Sequence, residues 1–302
     1  MRPTPPDVQH TLQPRHVKFD WQHTPLQWLP GDPFANHTIN VLHLLFPAGE
    51  MWFCRVYNKA LPLVTDPQVH ADATGFMRQE AIHARSHESV LKHYYGSHGI
   101  DTSPFTRKID RLFKHHLGEK PFGLNIGQSR FSRFWTRQQL GTIAALEHFF
   151  GYLGQWVLDA KGLDEAQADP MMLDLLRWHG AEEVEHRMVA HSLFTHLGGT
   201  YLERVLHMLL VMGLLLSLIY QGNRFMMKAD PSRPKAGGFL RSWHASAKAG
   251  RLPHLGHVIA AGARYFSPWF SPGNEGNTEQ ALAYLASSPA ASQAQHGGKF
   301  QR

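Results

Sequence analysis

Cysteine is almost absent from this chain: Cys54 is the only one in 302 residues. An intramolecular disulfide is excluded, as is any cysteine-rich zinc or iron–sulfur site, and the composition fits a reducing compartment. Charge is also scarce, with 18% Asp, Glu, Lys and Arg against ~25% in ordinary globular domains. Together with 43% apolar residues, this excludes a wholly disordered chain and a long solvated coiled coil. Acidic residues are outnumbered 24 to 30, giving a net charge of +6 with the 22 histidines neutral, so an acidic partner or surface fits. No apolar run follows Met1-Arg-Pro-Thr-Pro-Pro, which does not read as a secretory signal, and a cytoplasmic location is expected. Gly-rich nucleotide motifs are missing, so reducing equivalents, if needed, are expected from a separate electron-donor protein. Nucleic-acid binding is not expected, since Lys and Arg are scattered and no recognised motif occurs.

Strand signals are sparse, and the periodicity is that of helices. Apolar spacing predicts a first helix over Asn36–Leu63, kinked by Pro47 and Gly49 just before Glu50. Asp66-Pro67 supplies an N-cap and first-turn pair for a second helix running to about Tyr95, and a short helix is expected near Ser103–His116. The third long helix spans Arg133 to about Ala160, and Asp169-Pro170 opens a fourth that reaches about Leu197. Residues 205–220 read VLHMLLVMGLLLSLIY without a single Asp, Glu, Lys or Arg, between Arg204 and Arg224. Sixteen residues fall short of the ~20 a span requires, so a buried helix, an interfacial helix and a span all stay open. The basic residues that follow favour a membrane surface as a partner. The expected organisation is an N-terminal arm over 1–36, a helical bundle over 37–222 including the apolar fifth helix, and a basic extension over 223–302 whose low-complexity end, from Ser287, is disordered.

Two of these helices carry a Glu-x-x-His: Glu80 with His83, and Glu183 with His186. Residues three apart share a helix face, so each pair can point at one metal. Glu50 and Glu147 lie in apolar stretches of the first and third helices, where a carboxylate is costly unless paired or metal-bound. The order Glu, Glu-x-x-His, Glu, Glu-x-x-His is that of ferritin-like carboxylate proteins, and predicts an all-α, ferritin-like four-helix bundle with a dinuclear metal site plus additional C-terminal helices. His179, four residues before Glu183, is a further candidate ligand. His87 is an alternative ligand or a hydrogen-bond partner of one, and Glu182 is an alternative to Glu183. Cys54 and Tyr57 follow Glu50 on its own face and read as core packing, with a redox or radical role as the alternative.

The runs Phe46–Glu50, Phe76–His87, Ala145–Phe149 and Trp178–His186 resemble the bacterial family labelled predicted metal-dependent hydrolase, over about residues 15–225. That resemblance implies a ferritin-like fold and metal dependence, and its label implies hydrolysis. The fourth run is also similar to the aminobenzoate N-oxygenases, di-iron enzymes whose last motif is His-x-x-x-Glu-x-x-His, here His179, Glu183 and His186. Carboxylates and imidazoles of this kind suit two iron ions, with manganese or a mixed manganese–iron pair as alternatives, and zinc if the reaction is hydrolytic. The expected function is an O2-dependent oxidoreductase of oxygenase, hydroxylase or N-oxygenase type, acting on an apolar small molecule or lipid. A binuclear metal-dependent hydrolase is the alternative, and a non-enzymatic iron-handling bundle the third reading. A homodimer is compatible with the sequence.

Overall fold

The computed structural model describes residues 12–126, 131–235 and 237–297. Among them the fold is all-α. The long helices are α1 (Pro33–Ala60), α2 (Pro67–Ser89), α5 (Ser132–Asp159), α7 (Pro170–His186) and α9 (Tyr201–Ala229). Shorter pieces join them: α3 (Tyr95–Ser97), α4 (Ser103–Arg111), α6 (Lys161–Glu165) and α8 (Val189–His196). After α9 come α10 (Phe239–Lys248), α11 (Leu255–Arg264), α12 (Thr278–Ser287) and α13 (Pro289–Gly297). Helices α1, α2, α5 and α7 form the four-helix bundle, in which α1 packs on α2 and α5 on α7.

Each of three bundle helices starts at an Asp-Pro pair. Proline fits the first turn because its missing N–H would have no partner there, and the preceding Asp caps the free amides. Asp66 accepts from the amides of Gln68 and Val69 at 2.8 and 3.1 Å, and Asp169 from those of Met171 and Met172 at 3.1 and 3.0 Å. Asp32 does the same for Ala35 at 2.9 Å, so α1 begins one turn earlier than its apolar spacing indicates. The helix also runs on through Pro47.

Other differences have local causes. The second helix widens into a π turn at Val90–Tyr94, and α4 does so at Leu112–His116. The fourth helix breaks after His186, where the Arg187 guanidinium takes the carbonyl oxygens of Val184, Pro272 and Gly273. Helix α9 extends on both sides of residues 205–220, opened by a capping box between Thr200 and Glu203. Where disorder is expected from Ser287, helix α13 forms on α7, because buried Asp174 accepts the Ser288 hydroxyl at 2.9 Å and the Ala290 amide at 3.0 Å. The rest of that stretch, and residues 1–11 of the arm, lie outside the described residues. The described arm contributes to the core: Trp28 and Leu29 are fully buried, and the Trp28 indole donates to Asn40 Oδ1 at 2.8 Å.

The α5–α7 contact decides where the fourth motif sits. Gly154 and Gly180 face each other, and a Cβ on Gly180 would lie 2.8 Å from Gly154 Cα and from Val157 Cγ1. Two glycines thus let the backbones touch beside His179 and Glu183. Gly180→Ala is expected to lower stability by about 1–3 kcal/mol through overpacking. Gly213→Ala, where a Cβ meets nothing within 4 Å, is expected to leave it unchanged or raised, since alanine favours a helix. Thermal melts followed by circular dichroism compare the two.

Candidate metal centre

Glu50 on α1, Glu80 and His83 on α2, Glu147 on α5, and His179, Glu183 and His186 on α7 all turn inward and are buried. They gather into two groups, Glu50 with His83 and His179, and Glu80 with Glu147, Glu183 and His186. Within each group one donor atom from every residue lies within 4.8 Å of the others. Glu183 stands between them: one of its oxygens is 2.7 Å from His179 Nε2 and the other 3.2 Å from His186 Nε2. All seven side chains singled out as candidate ligands are thus brought to one place.

Each imidazole presents one nitrogen to this centre and has the other held from outside, which fixes ring orientation and tautomer. His83 turns Nδ1 inward, 3.4 Å from Glu80, while its Nε2 meets Glu182 at 2.8 Å. His179 Nδ1 contacts His87 Nε2 at 2.6 Å, and His87 Nδ1 contacts His43 Nδ1 at 2.7 Å. His186 Nδ1 donates to Gln79 Oε1 at 3.0 Å, and Gln79 in turn donates to Glu185 at 2.8 Å. Glu182 and His87, the two alternative candidates, lie behind the ring of inward-facing donors. Arg15 of the arm closes this outer ring, donating to Glu182 at 2.7 Å and to Glu185 at 2.9 and 3.1 Å.

Arg15, His43, Gln79 and Glu185 are absent from the sequence reading. His43 precedes Glu50 by seven residues, two turns up the same face of α1, and that periodicity is a usable signal. For Arg15 the only hint is the surplus of carboxylates in Glu182-Glu183-Val184-Glu185, which demands a cation. Gln79 carries no signal beyond its place beside Glu80.

The electrostatics are those of a site built around positive charge. Burial, reinforced by mutual repulsion, raises the carboxyls of Glu50, Glu80 and Glu147 above the usual range. For Glu183 burial acts the same way, but His186 and His179 outweigh it and hold the carboxyl well below that range. Burial would lower His83 and His186, yet their glutamate neighbours raise both well above an ordinary imidazole. His179, also buried but beside His83, falls to about 4. None of the carboxylate oxygens of Glu50, Glu80 and Glu147, nor His83 Nδ1, has a hydrogen-bond partner. Buried polar atoms are rarely left so. With the imidazoles deprotonated and the carboxyls ionised, as metal binding requires, four carboxylates and three imidazoles offer hard and borderline donors whose formal charge of −4 two divalent cations would balance. The residues present therefore fit a pair of metal ions.

Cys54 and Tyr57 stand beside this centre without joining it. The Cys54 thiol contacts Met77 O at 3.4 Å, and burial together with Glu80 and Glu50 pushes its pKa up to about 12, so it stays protonated. Tyr57 stacks on Phe76 with ring centroids 4.5 Å apart.

An apolar cavity of about 100 Å³ reaches the centre at His179 and Glu183, between α1, α5, α7 and α9. Leu42, Phe46, Phe150 and Trp156 line it, and among the described residues no Lys or Arg does. A smaller apolar pocket reaches Glu50 on the other side of Phe46 and Phe150, walled by Leu214, Leu215 and Leu218 of α9.

A family model described as "Predicted metal-dependent hydrolase" matches residues 13–276 of the chain. No curated protein and no solved structure matches it. Arg15→Ala, which leaves every inward donor in place, is expected to weaken metal binding by about 10–100-fold, as loss of supporting hydrogen bonds does elsewhere. Competition with a coloured chelator measures it; unchanged affinity would mean that the arm plays no part in holding the site.

Proposed function

The chain belongs to the family of predicted metal-dependent hydrolases, and from that premise we propose that it is a two-metal enzyme working as an O2-dependent oxidoreductase on an apolar small molecule or lipid. The observation that carries this reading is the conjunction of seven buried donors with an apolar cavity opening onto two of them. Glu50, His83 and His179 would hold one ion, and Glu80, Glu147 and His186 the other, with Glu183 offering an oxygen to each. When bound, two iron ions supply redox chemistry toward O2, whereas two zinc ions would supply Lewis acidity toward water.

The chain's own residues do the rest. Leu42, Phe46, Phe150 and Trp156 bind an apolar group and keep water from the centre. Glu182, His87 and Gln79 hold the three imidazoles in one tautomer each, so that a lone pair faces inward. Electrons would come from a separate donor protein.

Hydrolysis is the second reading, and the family description favours it. The cavity wall argues against a charged phosphoester, since no cationic side chain lines it; a neutral ester would be the substrate class. Oxygen-electrode measurements on protein loaded anaerobically with Fe(II) separate the two. The proposal expects iron-dependent O2 uptake that Glu147→Ala removes. Turnover of an aryl ester by the zinc-loaded protein under strict anaerobiosis, with no O2 uptake by the iron form, would replace it with the hydrolase reading.

A further inference from the structure

Helix α9 is long and apolar enough to cross a membrane, yet only 28% of its most apolar 18-residue window is buried. Its inner side packs on α1 and α5 through Met208, Val211, Leu218 and Met226. At Gly222 the approach is so close that a Cβ would lie 2.5 Å from Val41 Cγ1. The helix therefore lies along the bundle instead of projecting from it. Its outer side exposes Leu202, Leu206, Leu209, Leu210, Leu216 and Tyr220, a stripe at steps of three or four residues and of seven between Leu209 and Leu216. Leu210 alone is 69% exposed. Apolar residues scattered singly on a surface need no explanation, but a stripe that runs about five turns along one helix marks an interaction site.

Two features at the ends of the stripe say what covers it. At the C-terminal end the same face continues into exposed Arg224 and Lys228. From Arg224 to Arg264 the chain has eight Lys and Arg against one acid, Asp230. That acid is buried and taken by His37 at 2.8 Å and Gln27 at 2.5 Å, so it neutralises none of the surface cations, although Arg251 pairs with Asp32 at 3.8 Å and Arg264 with Glu275 at 2.6 Å. Toward the N-terminal end stands Trp269, 87% exposed. Its loop is tied to α9 by the Tyr201 hydroxyl donating to Phe266 O at 2.7 Å and by Arg204 donating to Ser267 O. A leucine stripe bordered by exposed Trp269 and Tyr201 and by the exposed cations Arg224 and Lys228 is the make-up of a helix that lies in a lipid headgroup boundary.

We propose that this face of α9 docks the protein on an anionic phospholipid bilayer. The helix lies in the plane of the interface, its leucines in the acyl boundary, with Arg224 and Lys228 against lipid phosphates. In this placement α9 keeps its packing on α1 and α5 and stays the wall of the smaller apolar pocket through Leu214, Leu215 and Leu218, with Ile219 bordering the larger one. A docked protein thus offers the larger pocket a supply of bilayer-dissolved substrate. Only this last link rests on the catalytic reading above; the docking does not.

Flotation of the full chain on sucrose gradients tests it, with vesicles of phosphatidylcholine alone and of phosphatidylcholine mixed with phosphatidylglycerol. The protein should float with the mixed vesicles and bind the neutral ones at least about tenfold more weakly, since each cation near an anionic surface contributes about 1 kcal/mol. Leu209→Ser/Leu210→Ser should lose flotation, and Arg224→Glu/Lys228→Glu should weaken it about tenfold or more while keeping the native circular dichroism spectrum. Failure of the unaltered protein to float with either vesicle would overturn the proposal. So would flotation undiminished in Leu209→Ser/Leu210→Ser. A dimer in solution that this double variant converts to monomer, without vesicle binding, would reassign the face to a second copy of the chain.

Discussion

Four carboxylates meet inside one helical bundle, within a few ångströms of each other and out of reach of water, and the rest of the architecture answers to that fact. A single buried carboxylate without a partner is costly, and repulsion between several multiplies the cost. Three imidazoles interleaved among them relieve part of it, but Glu50, Glu80 and Glu147 still present oxygens that no hydrogen bond satisfies. A pair of cations removes the whole difficulty at once. Metal binding would then add to the stability of the fold, because the donors come from all four bundle helices.

Around this centre the chain adds successive layers. Glu182, Gln79 and His87 grip the outward nitrogens of the imidazoles, and Arg15 gathers Glu182 and Glu185 from the far side. The segment before α1 is therefore part of the site although it lies outside the bundle. On the opposite flank α9 seals two apolar pockets, one reaching His179 and Glu183 and the other Glu50. Helices α12 and α13 cover the outer side of α7, anchored on Asp174 by the Tyr284 and Ser288 hydroxyls, both at 2.9 Å.

Much of this is legible in the sequence, and the reason is periodicity. Glu80 with His83, and His179 with Glu183 and His186, announce themselves because one helix sets their spacing. Glu50 and Glu147 stand out because a charged residue interrupts an apolar run, and Asp66-Pro67 and Asp169-Pro170 because capping is a local matter. What stays hidden is what depends on distant partners. Arg15 meets Glu182 across 167 residues, and His43 meets His87 across 44, so no local rule pairs them. The break after His186 depends on carbonyls supplied by residues 272 and 273. Whether α9 is buried or exposed also escapes the sequence, because its leucines look alike and only the packed bundle decides which side of the helix faces outward.

The central claim is that these donors hold two metal ions, and anomalous scattering from crystals of the metal-loaded protein tests it most directly. Data collected on either side of the absorption edge of the bound metal should give two peaks, one among Glu50, His83 and His179 and one among Glu80, Glu147 and His186. A single peak, or none among these seven side chains, would contradict the account.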